Sequence, residues 1–151
     1  MIENYLTDNN IKCDVVVNDW KEAIQAGGNI LLENNSIEPE YIDAMIDVVN
    51  EHGAYIVLDN GIAMPHARTE KGVKKTDVAI LKLQNPVPFG HEEYDPVSIV
   101  IVICAKGNED HLKLLQDISV IFGENDILSL TNDCENDRDL KKIIINCYEN
   151  I

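Results

Sequence analysis

The chain has 151 residues, which is enough for one globular domain that buries about two-thirds of its unfolded surface. Its composition, 45% hydrophobic and 26% charged, excludes the disordered, fibrous and coiled-coil classes. Its 12 Lys and Arg against 27 Asp and Glu leave a net charge of −15, which disfavours nucleic-acid binding and favours a basic protein partner.

The sequence contains neither a membrane span nor a signal peptide, and this indicates the cellular compartment. The longest apolar run, Val97–Ala105, is far shorter than the roughly 20 residues of a membrane span, and Met1–Tyr5 lacks the basic and apolar segments of a signal peptide. We therefore expect a cytoplasmic protein. The cysteines are scattered with no Cys-x-x-Cys pair, and Cys104, inside the apolar run, is interpreted as a small buried hydrophobe.

The N-terminal third predicts a strand and two helices. A short strand is expected at Cys13–Val17, followed by Asn18 as the N-cap of a helix that Gly27-Gly28 weakens. A second helix is predicted to start near Glu38–Glu40, where proline suits the first turn, and to end at His52-Gly53.

The middle of the chain changes to a strand pattern. Strands are predicted at Tyr55–Leu58, Asp77–Leu83 and Val97–Cys104, and the last is apolar on both faces, as in a central strand covered by helices. Turns are expected between them. The turn signals are Asn60-Gly61, Lys71-Gly72, Asn85-Pro86 and Phe89-Gly90.

The last third predicts three helices. The first, Glu109–Phe122, is expected to be capped by Asn108, a shorter one follows from about Asn125, and the last covers Arg138–Tyr148. This order of elements predicts one α/β domain over 1–151, with a mixed β-sheet flanked by helices on both faces.

His66 is the first candidate site residue. It follows the apolar run Ile62–Met64, which Pro65 biases toward an extended conformation, and small Ala67 stands beside it. Such a stiffly held imidazole at a strand end suits a functional site. A polar residue that merely ends a strand is the alternative, and periodicity leaves both open.

His111 is the second candidate. Counted from Asn108, it falls at the third helical position, at the rim of the stripe that continues through Leu115 and Ile118. Free amides and the positive dipole end make this a place for a phosphoryl group or another anion, and the same dipole favours a neutral His111. A partly buried helix-start histidine is the alternative.

The other two histidines are given structural interpretations. His52 satisfies a helix end, and His91 lies in an acidic loop with Glu92 and Asp95 that matches no metal-ligand signature. Phosphate-binding glycine loops and the nucleophile elbow are absent from the sequence. The sequence therefore supports neither a nucleotide cofactor nor a metal ligand set at His91.

The run Gly61–Arg68, with Glu70 and Gly72–Lys75 after it, resembles the EIIA domains of the bacterial phosphotransferase system. The similarity is to the mannitol/fructose-type group (type 2), and most to its ascorbate branch. Further segments share it, namely Trp20–Ile24, Ile37–Tyr41, Phe89–Glu92, Asp95–Val97 and Asp110–His111.

This resemblance implies a stand-alone EIIA phosphotransferase with the family's mixed sheet flanked by helices. His66 would receive a phosphoryl group from HPr as a tele-phosphohistidine intermediate and pass it to a cysteine of EIIB. EIIB then phosphorylates a sugar or sugar acid, here ascorbate-like, as the membrane component EIIC carries it in. His111 would assist, and Arg68 would stabilise charge.

Two other functions stay open from the sequence. One is a regulatory EIIA-like phosphoprotein, which is phosphorylated at the same residue but controls partner proteins. The other is a metal-binding hydrolase built from His66, His91 and His111.

Overall fold

The computed structural model describes residues 1–150. The strands are β1 (Ile11–Val15), β2 (Val57–Asp59), β3 (Ile62–Ala63), β4 (Asp77–Val87) and β5 (Val97–Cys104). The helices are α1 (Trp20–Glu33), α2 (Pro39–His52), α3 (Asn108–Glu124), α4 (Ile127–Thr131) and α5 (Asp137–Glu149). Short 3-10 turns occur at Ile2–Tyr5 and Thr69–Lys71. None of the helices within 1–150 has the length and apolar composition needed to cross a bilayer.

The strands form a mixed five-stranded sheet in the order β1-β4-β5-β3-β2. Strand β5 lies at its centre, antiparallel to β4 and parallel to β3, and every residue of β5 except Ser98 is buried. The predicted mixed sheet and its central strand are therefore confirmed.

Helices cover both faces of the sheet. Alternate side chains of β5 point to opposite faces, and since those side chains are apolar, both faces must be buried. Val100, Val102 and Cys104 pack in the layer that contains α1 and α2. Ile99 and Ile101 belong to the second layer, with α3, α4 and α5. The prediction of an α/β fold with helices on both faces is confirmed.

The N-caps of two helices differ from the predictions by one residue. Asp19, not Asn18, caps α1, since its side chain accepts a hydrogen bond from the Glu22 N–H at 2.9 Å. Gly107, not Asn108, occupies the cap position of α3, with φ 105°, so Asn108 is the first helical residue. His111 is consequently the fourth residue of α3, one position later than predicted.

The strands differ from the predictions at their ends. Strand β1 starts two residues early, at Ile11, and β2 begins at Val57 rather than Tyr55. The turn expected at Asn85-Pro86 is wrong, because β4 continues to Val87 and pairs there with Val97. Long-range pairing overrides the local turn signal, and the ladder becomes irregular between Lys82 and Val87.

Gly27 and Gly28 do not break α1, because each allows a close approach. A Cβ on Gly27 would overlap the side chain of Val102, and one on Gly28 would lie 2.6 Å from Ile42. Val102 is β-branched in a central strand and cannot readily move aside. These glycines therefore set the distance of α1 from the sheet and from α2.

Gly27→Ala is expected to destabilise the fold by up to about 2 kcal/mol, since an overpacking cost of about 1–3 kcal/mol is offset by a helix-propensity gain of about 1 kcal/mol. Gly123→Ala in α3 is the matched control, because nothing lies within 4 Å of its added Cβ. The control should be neutral or more stable by up to about 1 kcal/mol. Urea denaturation measures both, and equal stability of the two variants would contradict the packing role of Gly27.

Candidate active site

Two loops that leave neighbouring parallel strands form a cleft at one edge of the sheet. His66 follows β3 and His111 follows β5, and because these strands are parallel, both residues lie at the same edge. The cleft has a volume of about 530 Å³. It is lined by Val48, His52, Tyr55, His66, Ala67, Arg68, Thr69, Glu70, Ala105, Asn108 and His111.

The backbone around His66 is fixed on both sides. The Met64 N–H donates to Ile56 O at 2.9 Å, and Pro65 O accepts from the Ile103 N–H at 3.1 Å. Met64 and Pro65 are buried, and the His66 ring emerges partly buried at the cleft. The extended approach that Pro65 predicts is therefore present.

The His66 ring is held in one tautomer. Its Nδ1 lies 2.8 Å from Met64 O. A carbonyl oxygen only accepts hydrogen bonds, so Nδ1 carries the proton. In the neutral ring the free electron pair is then on Nε2, which is the nitrogen available for bonding to an electrophile.

His111 lies beside His66, with the two ring centroids 5.2 Å apart. Burial, and secondly the charge of His66, lower the pKa of His111, so its ring is neutral at pH 7. The direction agrees with the sequence prediction, and burial is its main cause. The His111 N–H donates to Gly107 O at 3.2 Å, so this amide is not one of the free amides of the helix start.

Two side chains that the sequence analysis missed join the loops of the cleft. The hydroxyl of Thr69 donates to Ala105 O at 2.7 Å and accepts from the Gly107 N–H at 3.1 Å, so it connects the loop after His66 to the start of α3. Tyr55 lies edge-on to His66, with a centroid distance of 6.3 Å. Thr69 belongs to no recognisable local pattern, so only the tertiary structure shows its contacts.

Arg68 and His52 lie at the rim of the cleft. The Arg68 side chain is 85% exposed, and its Nη1 is 4.0 Å from a carboxylate oxygen of Glu70. His52 ends α2 as predicted, but its ring also lines the cleft and lies edge-on to Tyr55 at 6.2 Å. The purely structural interpretation of His52 was therefore too narrow.

His91 is not part of this cleft. It precedes β5, whereas His111 follows it, and eight residues of strand separate those two ends by about 25 Å. Its Nδ1 accepts from the N–H groups of Glu93 and Tyr94, each at 3.1 Å, and its ring stacks on Tyr94. A metal site shared by His66, His91 and His111 is therefore wrong.

The described residues also bear on metal and thiol chemistry. Within 1–150, no group of three or more His, Cys, Asp or Glu side chains could hold a metal ion.

Burial raises the pKa of Cys104 to about 12, so its thiol stays protonated, as expected for a small buried hydrophobe.

Comparison with known proteins defines the class. The family model described as phosphoenolpyruvate-dependent sugar phosphotransferase system, EIIA 2, matches residues 4–147. The ascorbate-specific PTS system EIIA component of Shigella boydii is 33% identical over 135 residues, which are 89% of this chain and 88% of that protein. The chain belongs to this EIIA family, and it is a phosphoryl carrier of a sugar phosphotransferase system.

Solved structures share the fold. The mannitol-specific cryptic phosphotransferase enzyme IIA CmtB from Escherichia coli matches with a TM-score of 0.86 and 30% identity, covering 96% of this chain and 98% of that one. The complex of enzyme IIAMTL and phosphorylated enzyme IIBMTL from Escherichia coli contains a chain with a TM-score of 0.78 and 26% identity, covering 91% and 95%. The architecture of this chain is therefore that of mannitol-type EIIA proteins.

Proposed function

We propose that His66 is the residue that carries the phosphoryl group, which it receives from phosphorylated HPr and passes to a cysteine of a cognate EIIB in the cytoplasm. The observation that carries this assignment is the bond between His66 Nδ1 and Met64 O, which leaves the Nε2 electron pair free. Histidine is a competent nucleophile of this kind. The intermediate is therefore a tele-phosphohistidine.

The two transfers balance at the phosphorus atom. In the first, His66 Nε2 forms a bond to phosphorus while the nitrogen–phosphorus bond of HPr breaks, and the HPr imidazole leaves. The positive charge that develops on the His66 ring is stabilised by Met64 O, which accepts from Nδ1–H. In the second, the EIIB thiolate forms the new bond to phosphorus, the Nε2–P bond breaks, and His66 returns to its neutral form.

The neighbouring side chains stabilise the phosphoryl oxygens rather than carry the group. A neutral His111 donates one ring N–H to such an oxygen, at a position that the 5.2 Å ring separation allows. Arg68 is exposed and only weakly paired with Glu70, so it is free to turn toward the same charge. Phosphoryl transfer needs chiefly positioning and charge stabilisation, and these residues supply both without a cofactor.

The names of the curated relatives support a proposal for the transported compound. The curated relatives named ascorbate-specific are 31% to 41% identical to this chain, so we propose a sugar-acid substrate of the ascorbate type for the membrane component EIIC. The chain itself binds only protein partners in this scheme.

The experiment that tests this function measures transfer from phosphorylated HPr to the chain and onward to two EIIB proteins. We expect ³¹P NMR to show a tele-phosphohistidine, and the label to pass faster to an ascorbate-type EIIB than to a mannitol-type EIIB. Labelling without onward transfer to either EIIB would instead support the regulatory phosphoprotein. Absence of labelling would overturn the function altogether.

A further inference from the structure

The hydroxyl group of Tyr41 lies within the line of hydrogen bonds that joins the His66 loop to β5. Tyr41 is on α2 and its side chain is 0% exposed. The hydroxyl oxygen accepts from the Ala67 N–H at 2.9 Å and lies 2.7 Å from Ile103 O, to which it donates. The same oxygen is 3.2 Å from Ala67 O, a longer contact for its single proton.

The pairing of β3 with β5 shows what this hydroxyl replaces. Ile62 pairs with Ile99 and Ala63 with Val100, and the bond from the Ile103 N–H to Pro65 O places His66 opposite Ile103 in the same register. In a parallel ladder of this register, the Ala67 N–H would donate directly to Ile103 O. The Tyr41 hydroxyl stands between these two groups and receives both bonds.

Because of Pro65, Ala67 is the next residue at which the N–H groups of the His66 loop can bond toward β5. It has no N–H, so the rung that would join it to Ile101 cannot form. After the bond to Pro65 O, the contact through Tyr41 is therefore the next connection from the loop to the end of β5, ahead of the Thr69 bond to Ala105 O. The chain continues from β5 to α3 and His111. Burial raises the pKa of Tyr41, so the hydroxyl keeps the proton that it donates.

We infer that Tyr41 is a positioning residue for phosphoryl transfer: its hydroxyl holds the ladder open by the width of one oxygen atom, and this spacing sets the position of His66 relative to His111. The inference rests on the proposed function for its kinetic consequence, while its geometric consequence concerns the resting protein alone. Without the hydroxyl, the Ala67 N–H and Ile103 O are free to bond directly. The loop would then move toward β5 and carry His66 with it.

Tyr41→Phe tests the inference, because phenylalanine keeps the buried ring and removes only the hydroxyl. We expect the rate of labelling at saturating phosphorylated HPr to fall about tenfold to a hundredfold, with little change in KM. Small misplacements of a nucleophile lower reaction rates by factors of this size. In the unphosphorylated variant, ¹⁵N NMR should show His66 as a mixture of tautomers, since its bond to Met64 O is disturbed. Tyr148→Phe is the matched control, because it loses one hydroxyl bond, to Glu3, on α5 in the other helical layer.

An unchanged rate and an unchanged His66 tautomer in Tyr41→Phe would overturn the inference, as would equal losses in Tyr148→Phe or a loss confined to KM. Absence of labelling in the wild-type chain would refute the proposed function, while the NMR comparison would still decide the role of Tyr41. Should Tyr41→Phe fail to fold, replacing Ala67 with lactic acid removes the same N–H donor and leaves Tyr41 in place. That ester variant cannot bond to Ile103 O, but its loop is no longer held by the Tyr41 hydroxyl, so His66 should again be a mixture of tautomers, and a wild-type spectrum would contradict the inference.

Discussion

His66→Ala is expected to abolish labelling by phosphorylated HPr while the fold persists. The variant removes Nε2, the nucleophile of the proposed transfer, so no covalent intermediate can form. The His66 ring is only partly buried and its side chain makes one hydrogen bond, to Met64 O, so little stability is lost. Autoradiography and the intact mass measure labelling, and circular dichroism measures the fold.

His91→Ala is the matched control for this experiment. Its ring also bonds to the backbone, through the N–H groups of Glu93 and Tyr94, but it lies at the opposite edge of the sheet. Full labelling is expected for this control. Labelling of His66→Ala at the wild-type rate, or a phosphoryl group mapped to His111 in the wild-type chain, would refute the assignment of the acceptor.

His111→Ala is expected to remain phosphorylated at His66 but to pass the group to EIIB about ten to a thousand times more slowly. Loss of a single donor to developing negative charge has effects of about this size in other sites. His111→Gln should recover part of the rate, because the lowered pKa makes His111 a neutral donor and an amide also donates a neutral N–H. Single-turnover transfer from the phosphorylated variants measures both effects.

The pH dependence separates a neutral His111 from a cationic one. Since burial lowers its pKa below the ordinary histidine value, His111 is mainly neutral at pH 7, and its contribution should not decline between pH 7 and 8. The ratio of wild-type to His111→Gln transfer rates, measured over that interval, provides the check. A ratio that falls as the pH rises would indicate that the charged imidazolium does the work.

Local chemistry in the sequence determined much of the scaffold. Helix α2 has the predicted bounds because Pro39 suits a first turn and Gly53, at φ 77°, ends it. Strand β5 has the bounds that were predicted, because a strand with apolar side chains on both faces is buried mainly at the centre of a sheet. The extended approach to His66 was likewise predicted from Pro65, and the motif around it identified the family.

Local sequence signals did not predict element boundaries correctly where adjacent residues are equally good caps, or where pairing with a distant strand determines the length of an element. Asn18 and Asp19 are both good caps, and only the backbone conformation of the folded chain selects Asp19. The turn signal at Asn85-Pro86 yields to pairing of β4 with β5. The burial of Tyr41 was not predicted, because it depends on contacts that α2 makes with the sheet.

The functional arrangement itself required the tertiary structure. The sequence determined which histidines are candidates, but their separation depends on β3 and β5 being parallel neighbours, and β3 is only two residues long. That pairing brings His66 and His111 to one edge and leaves His91 at the other. The bond that leaves Nε2 of His66 free is local, to Met64 O two residues earlier, whereas the depressed pKa of His111 arises from the packing, because desolvation depends on neighbours distant along the chain.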